Sequence, residues 1–247
     1  MSGKRSLSQD SWDDTARVIK TEDGSATVFR ADLNATYRST AGAAGESRYV
    51  FFDGSGLSTK QDTWHVLELG FGMGTNFRTV QQAAAEAGIF LKYHAVEYQP
   101  VPASVFSGKD FQDELLAQVF HKVRQSHHPV SIESPQWSLS LYISDWRDLR
   151  WEPLGVDAVF HDPFGPDTNP ESWGVEVFQW AHRHLHRNGA LVTYGAAGHV
   201  RRAMRDAGLF VASAKGFGPK REMTVAARSE DRLQGHDIRF RPTLCEK

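Results

Sequence analysis

The sequence predicts an α/β domain built on a doubly wound, mostly parallel sheet of seven strands. From residue 64 onward, short apolar segments alternate with helix-compatible segments, which is the pattern of a parallel sheet covered by helices on both faces. Three glycines at alternate positions, Gly70, Gly72 and Gly74, directly follow the first apolar segment. Acidic residues close three later segments. In such folds ligands bind beyond the carboxyl ends of the strands, so these residues predict a binding site at that edge.

The composition is that of an ordinary globular chain, with 247 residues, 40% hydrophobic and 23% charged. No apolar run has the length of a membrane span, and the first residues lack the apolar stretch of a signal peptide. The single cysteine, Cys245, excludes an internal disulfide. We therefore expect a cytoplasmic protein that does not contact a membrane. The net charge is −2, but ten basic and five acidic residues lie between His199 and Arg241, a polarity that could steer a polyanion.

The N-terminal quarter predicts an extension to the main domain. Residues 1–16 are polar and without periodicity, which indicates a flexible tail. Residues 17–60 contain a predicted hairpin, Arg17–Arg30, with an Asp-Gly turn signal. The segment Ser47–Phe52 fits either a strand or the first buried turns of a helix. This extension has too few apolar residues for its own core, so we expect it to cap a domain that spans residues 61–242.

The main domain is predicted to contain seven strands and four prominent helices. The strands are predicted at Trp64–Leu69, Leu91–Glu97, Leu139–Ile143, Asp157–His161, Ala190–Tyr194, Leu209–Ala212 and Glu222–Ala227. The helices are predicted at Thr75–Ala87, Phe111–Ser126, Glu171–His186 and His199–Asp206.

The glycine turn distinguishes two classes of cofactor site. Glycine allows positive φ angles and lets a ligand approach bare backbone, and the free N–H groups of the following helix favour a polar or anionic group. A dinucleotide site requires Gly-x-Gly-x-x-Gly, but Thr75 and Phe77 occupy the third position in the two possible registers. The pattern Glu-x-Gly-x-Gly-x-Gly from Glu68 to Gly74 instead resembles the first motif of class I methyltransferases, which bind S-adenosylmethionine.

Three acids at predicted strand ends accompany this turn. Glu97 closes the second strand, where a carboxylate can accept hydrogen bonds from both ribose hydroxyls of an adenosine-type cofactor. Asp145 follows the third strand, where a carboxylate can accept one from the adenine amino group. Asp162 follows the fourth strand. Any one of these acids alone is more often a helix cap, whereas three beside a glycine turn favour a cofactor site.

The segment after the fourth strand is the most distinctive of the chain. Three prolines and a glycine restrict its path, and Phe164 and Trp173 could form the walls of a pocket for a flat base, although Trp173 more readily fits the core. The pattern Asp-x-Phe-x-Pro-x-x-Asn-Pro-x-x-Trp, from Asp162 to Trp173, resembles the fourth motif of the MnmC/MnmD-type tRNA methyltransferases. Further similar segments appear in the family's order over roughly residues 17–228.

This resemblance implies a class I S-adenosylmethionine-dependent methyltransferase with a Rossmann-like fold, whose last strand is antiparallel, in the stand-alone form without an oxidase domain. It implies methylation of the exocyclic amine of 5-aminomethyl(-2-thio)uridine at the tRNA wobble position, with Asp162 as the catalytic residue. One departure is Arg38, where the family frequently has an aromatic residue or histidine. The implied cofactor-binding residues are Glu68, Gly70, Gly72, Gly74, Asn76, Glu97, Asp145 and Asp162. The implied substrate-binding residues are Tyr37, Ser39, Glu46, Phe164, Lys220 and Arg221.

The implied partner is the tRNA anticodon loop, with its base splayed out and its phosphates contacted by Arg201, Arg202, Lys220 and Arg221. An upstream enzyme that forms the aminomethyl group is a further expected partner. We expect no metal site, because His182 and His186 have helical spacing but no evident third ligand. His161, beside Asp162, is interpreted as a packed neighbour rather than as a group that tunes this carboxylate.

Two alternatives stay open at this point. A methyltransferase-fold aminopropyltransferase of polyamine synthesis would need a second acid-rich amine pocket, which the basic C-terminal third disfavours. A catalytically silent RNA- or nucleotide-binding module is disfavoured by the acids at Glu97, Asp145 and Asp162.

Overall fold

The computed structural model describes residues 16–57, 61–101, 105–106, 113–125, 129–234 and 243–244. The predicted tail, apart from Ala16, lies outside the described residues, and so does Cys245.

The N-terminal extension begins with a small antiparallel sheet of three strands, β1 (Ala16–Lys20), β2 (Ala26–Arg30) and β3 (Ala35–Thr36). The pairing of Lys20 with Ala26 confirms the predicted hairpin. The short helix α1 (Ala43–Glu46) follows and continues as a π-helical segment, Ser47–Asp53, so the second of the two interpretations of this stretch is correct.

The extension and the main domain share one apolar core. Phe51 is fully buried and its ring lies 5.6 Å from that of Phe160 in the central sheet. Val50 and Trp64 belong to the same buried cluster. The N-terminal segment is therefore anchored against the sheet, close to the edge at which the ligand site is predicted.

The central sheet contains nine strands among the described residues. They are β4 (Thr63–Leu69), β5 (Phe90–Glu97), β6 (Val130–Glu133), β7 (Trp137–Ile143), β8 (Val156–His161), β9 (Leu185–Thr193), β10 (Phe210–Lys215), β11 (Glu222–Ala227) and β12 (Thr243–Leu244). Their order is β12-β10-β11-β9-β8-β4-β5-β7-β6. The five strands from β9 to β7 are parallel, whereas β11 pairs antiparallel with both of its neighbours.

The helices that accompany the sheet are α2 (Thr75–Ala87), α3 (Glu114–Gln125), α4 (Val175–His184), α5 (Gly198–Asp206) and α6 (Glu230–Gln234). One buried apolar cluster contains Phe77 of α2, and a second contains Phe178 of α4. Within the described ranges, none of the helices is long and apolar enough to cross a membrane.

The seven predicted strands are confirmed, with shifted ends, and the antiparallel final strand is β11. The prediction omitted β6 and β12, which are only four and two residues long. It also extended the helix at Glu171–His186 too far. A 3₁₀ turn, Pro170–Ser172, precedes α4, and β9 already begins at Leu185 because this residue pairs with Val156 at the start of β8.

Candidate active site

The glycine turn joins β4 to α2 at the carboxyl edge of the sheet. Gly70 has a φ of +84°, and a Cβ there would lie 2.5 Å from the Asp162 carbonyl oxygen. Gly72 has a φ of +52°, and a Cβ there would lie 3.0 Å from the Tyr37 ring. Side chains other than glycine are therefore strained at both positions. The turn is enclosed between the segment after β8 and the N-terminal extension.

Glu97, the last residue of β5, holds this turn in place. Its carboxylate accepts hydrogen bonds from the backbone N–H groups of Gly72 and Gln99, each at 2.8 Å. Glu97 is only 8% exposed, and burial raises the pKa of its carboxyl group. Because a carboxylate offers about four acceptor positions, Glu97 retains capacity for hydroxyl donors of a ligand in the turn.

Asp162 follows β8 and lies directly beside the turn, because its N–H donates to the Leu69 carbonyl oxygen at 2.9 Å. Its carboxylate forms an ion pair with Arg38 and accepts a hydrogen bond from Asn76 Nδ2 at 3.0 Å. The side chains of Asp162 and Arg38 are 5% and 4% exposed. Burial raises the pKa of Asp162 to about 7, against the opposing effect of the Arg38 charge.

Asn76 connects Asp162 to a second buried carboxylate. Its Nδ2 also donates to Glu68 Oε1 at 2.7 Å, and the Tyr93 hydroxyl donates to Glu68 Oε2 at 2.8 Å. Burial raises the pKa of Glu68 to about 8. A chain of hydrogen bonds thus runs from Tyr93 through Glu68 and Asn76 to Asp162. Glu68 and Asn76 therefore help to fix the position of the Asp162 carboxylate.

Glu46 and Lys220 form a second ion pair on the extension side of the site. Lys220 Nζ donates to Glu46 Oε1 at 2.8 Å and lies 4.3 Å from the centre of the Tyr194 ring. The other oxygen of Glu46 accepts from the Ser39 N–H at 3.0 Å. Burial raises the pKa of Glu46, but Lys220 and Arg38 outweigh this effect and hold the pKa below its ordinary value.

Two of the four residues that were assigned to phosphates, Lys220 and Arg201, have partners within the protein, and their contact with RNA stays a prediction. The ammonium group of Lys220 pairs with the Glu46 carboxylate, although the lysine side chain is 37% exposed. Arg201 is bound to the sheet: it pairs with Glu222 at 2.9 Å and donates to Thr224 at 3.1 Å. Arg202 and Arg221 are exposed, and their contact with RNA stays a prediction.

The carboxylate of Asp145 forms its hydrogen bonds with a residue two positions away in the chain. It caps the 3₁₀ turn Trp146–Asp148, and its carboxylate accepts bonds from the Arg147 backbone N–H and Nε, both at 2.9 Å. These contacts lower the pKa of Asp145. An adenine contact, which stays a prediction, would have to share the carboxylate with Arg147.

Of the two aromatic residues in the loop after β8, Phe164 lies at the site and Trp173 lies in the core. The Phe164 ring lies 4.9 Å from the Tyr37 ring beside the glycine turn. Trp173 is 2% exposed and its Nε1 donates to the Phe164 carbonyl oxygen at 2.7 Å, so its interpretation as a core residue is confirmed.

The contacts of the histidines near the site indicate a packing role. His161 is fully buried, bonds the Ser172 carbonyl oxygen at 2.7 Å and packs edge-on against Trp173, as a packed neighbour does. His182 lies in α4 whereas His186 lies in β9, so the two do not share a helix face.

Three residues of the site were not identified from the sequence. Arg38 appeared only as a departure from a motif, Tyr93 only as a strand residue, and Tyr194 as a strand end and part of a similar segment without an assigned role. No local signal identifies Arg38, because its neighbours Thr36, Ser39 and Thr40 are polar.

The polar groups at the start of α2 fit a ligand in the turn. Thr75 Oγ1 and Asn76 Oδ1 are buried and have no hydrogen-bond partner among the described residues. Such atoms are costly when unsatisfied, and a polar ligand against the turn would satisfy them. Together with the remaining acceptor capacity of Glu97, they match the hydroxyl and amino groups of an adenosine-type cofactor.

Comparison with known proteins agrees with this geometry. Residues 107–229 match the family model described as "S-adenosyl-L-methionine-dependent methyltransferase". The bifunctional protein MnmC of Ralstonia nicotianae, named for tRNA 5-methylaminomethyl-2-thiouridine biosynthesis, is 32% identical over 216 residues, which are 81% of this chain and 33% of that protein. The protein of the same name from Cupriavidus metallidurans is 31% identical over 227 residues, 85% of this chain and 34% of its own length.

The chain therefore spans about one third of the length of these curated relatives. Among solved structures, MNMC2 from Aquifex aeolicus has the same fold, with a TM-score of 0.71 and 24% identity over 89% of this chain and 74% of that one. The chain belongs to the family of S-adenosyl-L-methionine-dependent methyltransferases that the matched model describes.

Proposed function

We propose that this protein methylates the exocyclic primary amine of 5-aminomethyl(-2-thio)uridine at the wobble position of tRNA, giving the 5-methylaminomethyl form. The observation that carries the proposal is the pair of buried and electrostatically coupled carboxylates, Asp162 and Glu46, of which Asp162 adjoins the glycine turn of a methyltransferase fold. An alkylamine is largely protonated at neutral pH, and buried carboxylates are suitable partners for its charge. The names of the MnmC relatives support the same substrate.

S-adenosyl-L-methionine, when bound, supplies an electrophilic methyl group on a sulfonium sulfur. We assign its binding to the glycine turn from Gly70 to Gly74, whose backbone permits close approach. Glu97 would accept hydrogen bonds from the ribose hydroxyls through the lone pairs that the Gly72 and Gln99 N–H groups leave free. Thr75 and Asn76 contribute the polar atoms at the start of α2.

Asp162 is the proposed catalytic residue. It lies against Gly70, so a donor held by its carboxylate is close to a ligand in the turn. With a pKa raised to about 7, Asp162 accepts a proton more readily than an exposed aspartate does. We infer that Asp162 orients the amine and takes part in removing its proton, while Arg38 and Asn76 fix the position of the carboxylate.

The aromatic pair of Tyr37 and Phe164 suits the nucleobase. Sequence-specific RNA recognition often splays a base out of a loop and stacks it on aromatic rings. Ser39, whose N–H holds Glu46, lies on the same side. Arg202 and Arg221 are the exposed cations that we assign to phosphates of the anticodon loop. A tRNA substrate is also consistent with the expected cytoplasmic location and with an upstream enzyme that forms the aminomethyl group.

The direct test incubates the protein with cofactor carrying a labelled methyl group and with either unmodified or aminomethyl-bearing tRNA, followed by nucleoside analysis. We expect label only in 5-methylaminomethyl nucleosides. A parallel reaction with decarboxylated cofactor and a diamine tests the aminopropyltransferase alternative. Product in that reaction alone would contradict the proposal, and cofactor binding without any transfer would favour a silent binding module.

A further inference from the structure

Lys220 occupies a position in the site that is built for an alkylammonium group. Its Nζ is 2.8 Å from Glu46 Oε1 and 4.3 Å from the centre of the Tyr194 ring. A carboxylate on one side and an aromatic face on the other are the two partners that a primary ammonium prefers in proteins. The Tyr194 ring is itself fixed, because its hydroxyl donates to the Pro163 carbonyl oxygen at 2.6 Å.

The charges around this position are balanced. Arg38 pairs with Asp162, and Lys220 pairs with Glu46. The charges that influence the pKa of Asp162 include Arg38, Glu46 and Lys220, so the two pairs form one electrostatic unit. An incoming ammonium group can therefore replace the Lys220 ammonium one for one, whereas a neutral group in its place would leave a buried carboxylate without a counter-charge.

Lys220 can leave without disturbing the core. It lies in the turn between β10 and β11, and its side chain is 37% exposed. Together with Tyr194 and Arg221 it lines a cavity of about 500 Å³. The flexible stem of a lysine allows the ammonium to move into this open space while the backbone of the turn stays in place.

We propose that the Glu46 carboxylate and the Tyr194 ring form an alkylammonium subsite, which Lys220 fills until a protonated primary amine displaces it. The identification of that amine with the aminomethyl group of the substrate rests on the proposed function. The subsite itself requires only a small primary ammonium ion. The subsite is then specific for ammonium groups, because only another ammonium ion can replace that of Lys220 as the counter-charge of Glu46.

The test is the binding of methylammonium chloride to wild-type protein and to Lys220→Met, which keeps an unbranched chain without the charge. Binding is measured by isothermal calorimetry and by the shift in thermal unfolding, with potassium chloride at equal ionic strength as reference. We expect Lys220→Met to bind methylammonium at least about tenfold more tightly than wild type, since the internal competitor is gone. Lys220→Gln, prepared in parallel, should show the same direction of change.

The matched control is Arg221→Met, which removes a positive charge from the same cavity without touching Glu46. We expect its methylammonium affinity to stay at the wild-type level. The double variant Lys220→Met/Glu46→Gln should lose the gained binding. Equal affinities in all variants, or a gain in Arg221→Met as large as in Lys220→Met, would overturn the subsite. Intact methylammonium binding without tRNA methylation would instead contradict only the proposed function.

Discussion

The guanidinium group of Arg38 forms an ion pair with the carboxylate of Asp162, and both side chains are almost completely buried. The pair joins the N-terminal extension to the carboxyl end of β8. Arg38 also lies 3.9 Å from Glu68 and 5.1 Å from the centre of the Phe51 ring. The extension therefore contributes a charged residue to the site as well as covering the sheet.

Arg38→Met should destabilise the protein by about 3–5 kcal/mol, because it leaves a buried carboxylate without its counter-charge. The free energy of unfolding is measured by urea denaturation for Arg38→Met, Asp162→Asn and the double variant. We expect the double variant to lose less stability than the two single losses combined. Additive losses would show that the pair contributes no coupling.

Glu97→Gln should weaken binding of S-adenosylmethionine by about 1–3 kcal/mol, since an amide replaces one of the two accepting oxygens of this carboxylate by a donor and removes its charge. The measurement is calorimetric titration with the cofactor. Glu133→Gln, an exposed change of the same type in β6, is the control and should bind normally. A variant with normal affinity but reduced turnover would mean that Glu97 does not hold the cofactor.

The contribution of Glu68 to the stability of the protein should fall as the pH rises from about 5 to about 8. Burial raises the pKa of Glu68 to about 8, above its ordinary value, so the folded state holds a proton that the unfolded state releases at lower pH. This contribution is greatest below the unfolded pKa and is lost as the pH rises through the folded pKa. Unfolding free energies are measured at pH 5, 6, 7 and 8, and the stability of wild type relative to Glu68→Gln should decrease over this range. A difference that does not change with pH would count against a protonated Glu68.

The RNA contact of Arg202 and Arg221 predicts that tRNA affinity falls steeply with salt. Changing either arginine to glutamine should reduce the slope of log affinity against log salt by about 1 and leave cofactor affinity unchanged. Arg187→Gln, an exposed change near the amino end of β9, is the matched control. A slope that stays at the wild-type value in both variants would exclude these residues from the interface.

The sequence indicated much of the fold because its strands and helices are long and periodic. The rule that parallel strands share a carboxyl edge correctly brought Glu97 and Asp162 to the glycine turn. Two strands of the central sheet were missed because β6 and β12 are too short to show a pattern.

The ion pairs of the site could not be predicted in the same way. Arg38 and Asp162 are far apart in the chain, as are Glu46 and Lys220, and no local pattern links such partners. Lys220 was assigned to phosphate from its basic segment alone, and its pairing with Glu46 becomes visible only in the tertiary structure. Asp145 meets Arg147 two residues away, a short-range contact that a strand-end rule does not consider.

The central claim, that Asp162 acts on the substrate amine, is tested most directly by the turnover of Asp162→Asn on aminomethyl-uridine tRNA at saturating cofactor. Asp167→Asn, the same change at an exposed position of the same loop, is the control. We predict that Asp162→Asn retains cofactor and tRNA affinity but turns over roughly 10²–10⁴ times more slowly, the range for loss of a positioned acid–base group. Methylation by Asp162→Asn at the wild-type rate would contradict the account and reduce Asp162 to an anchor of its loop.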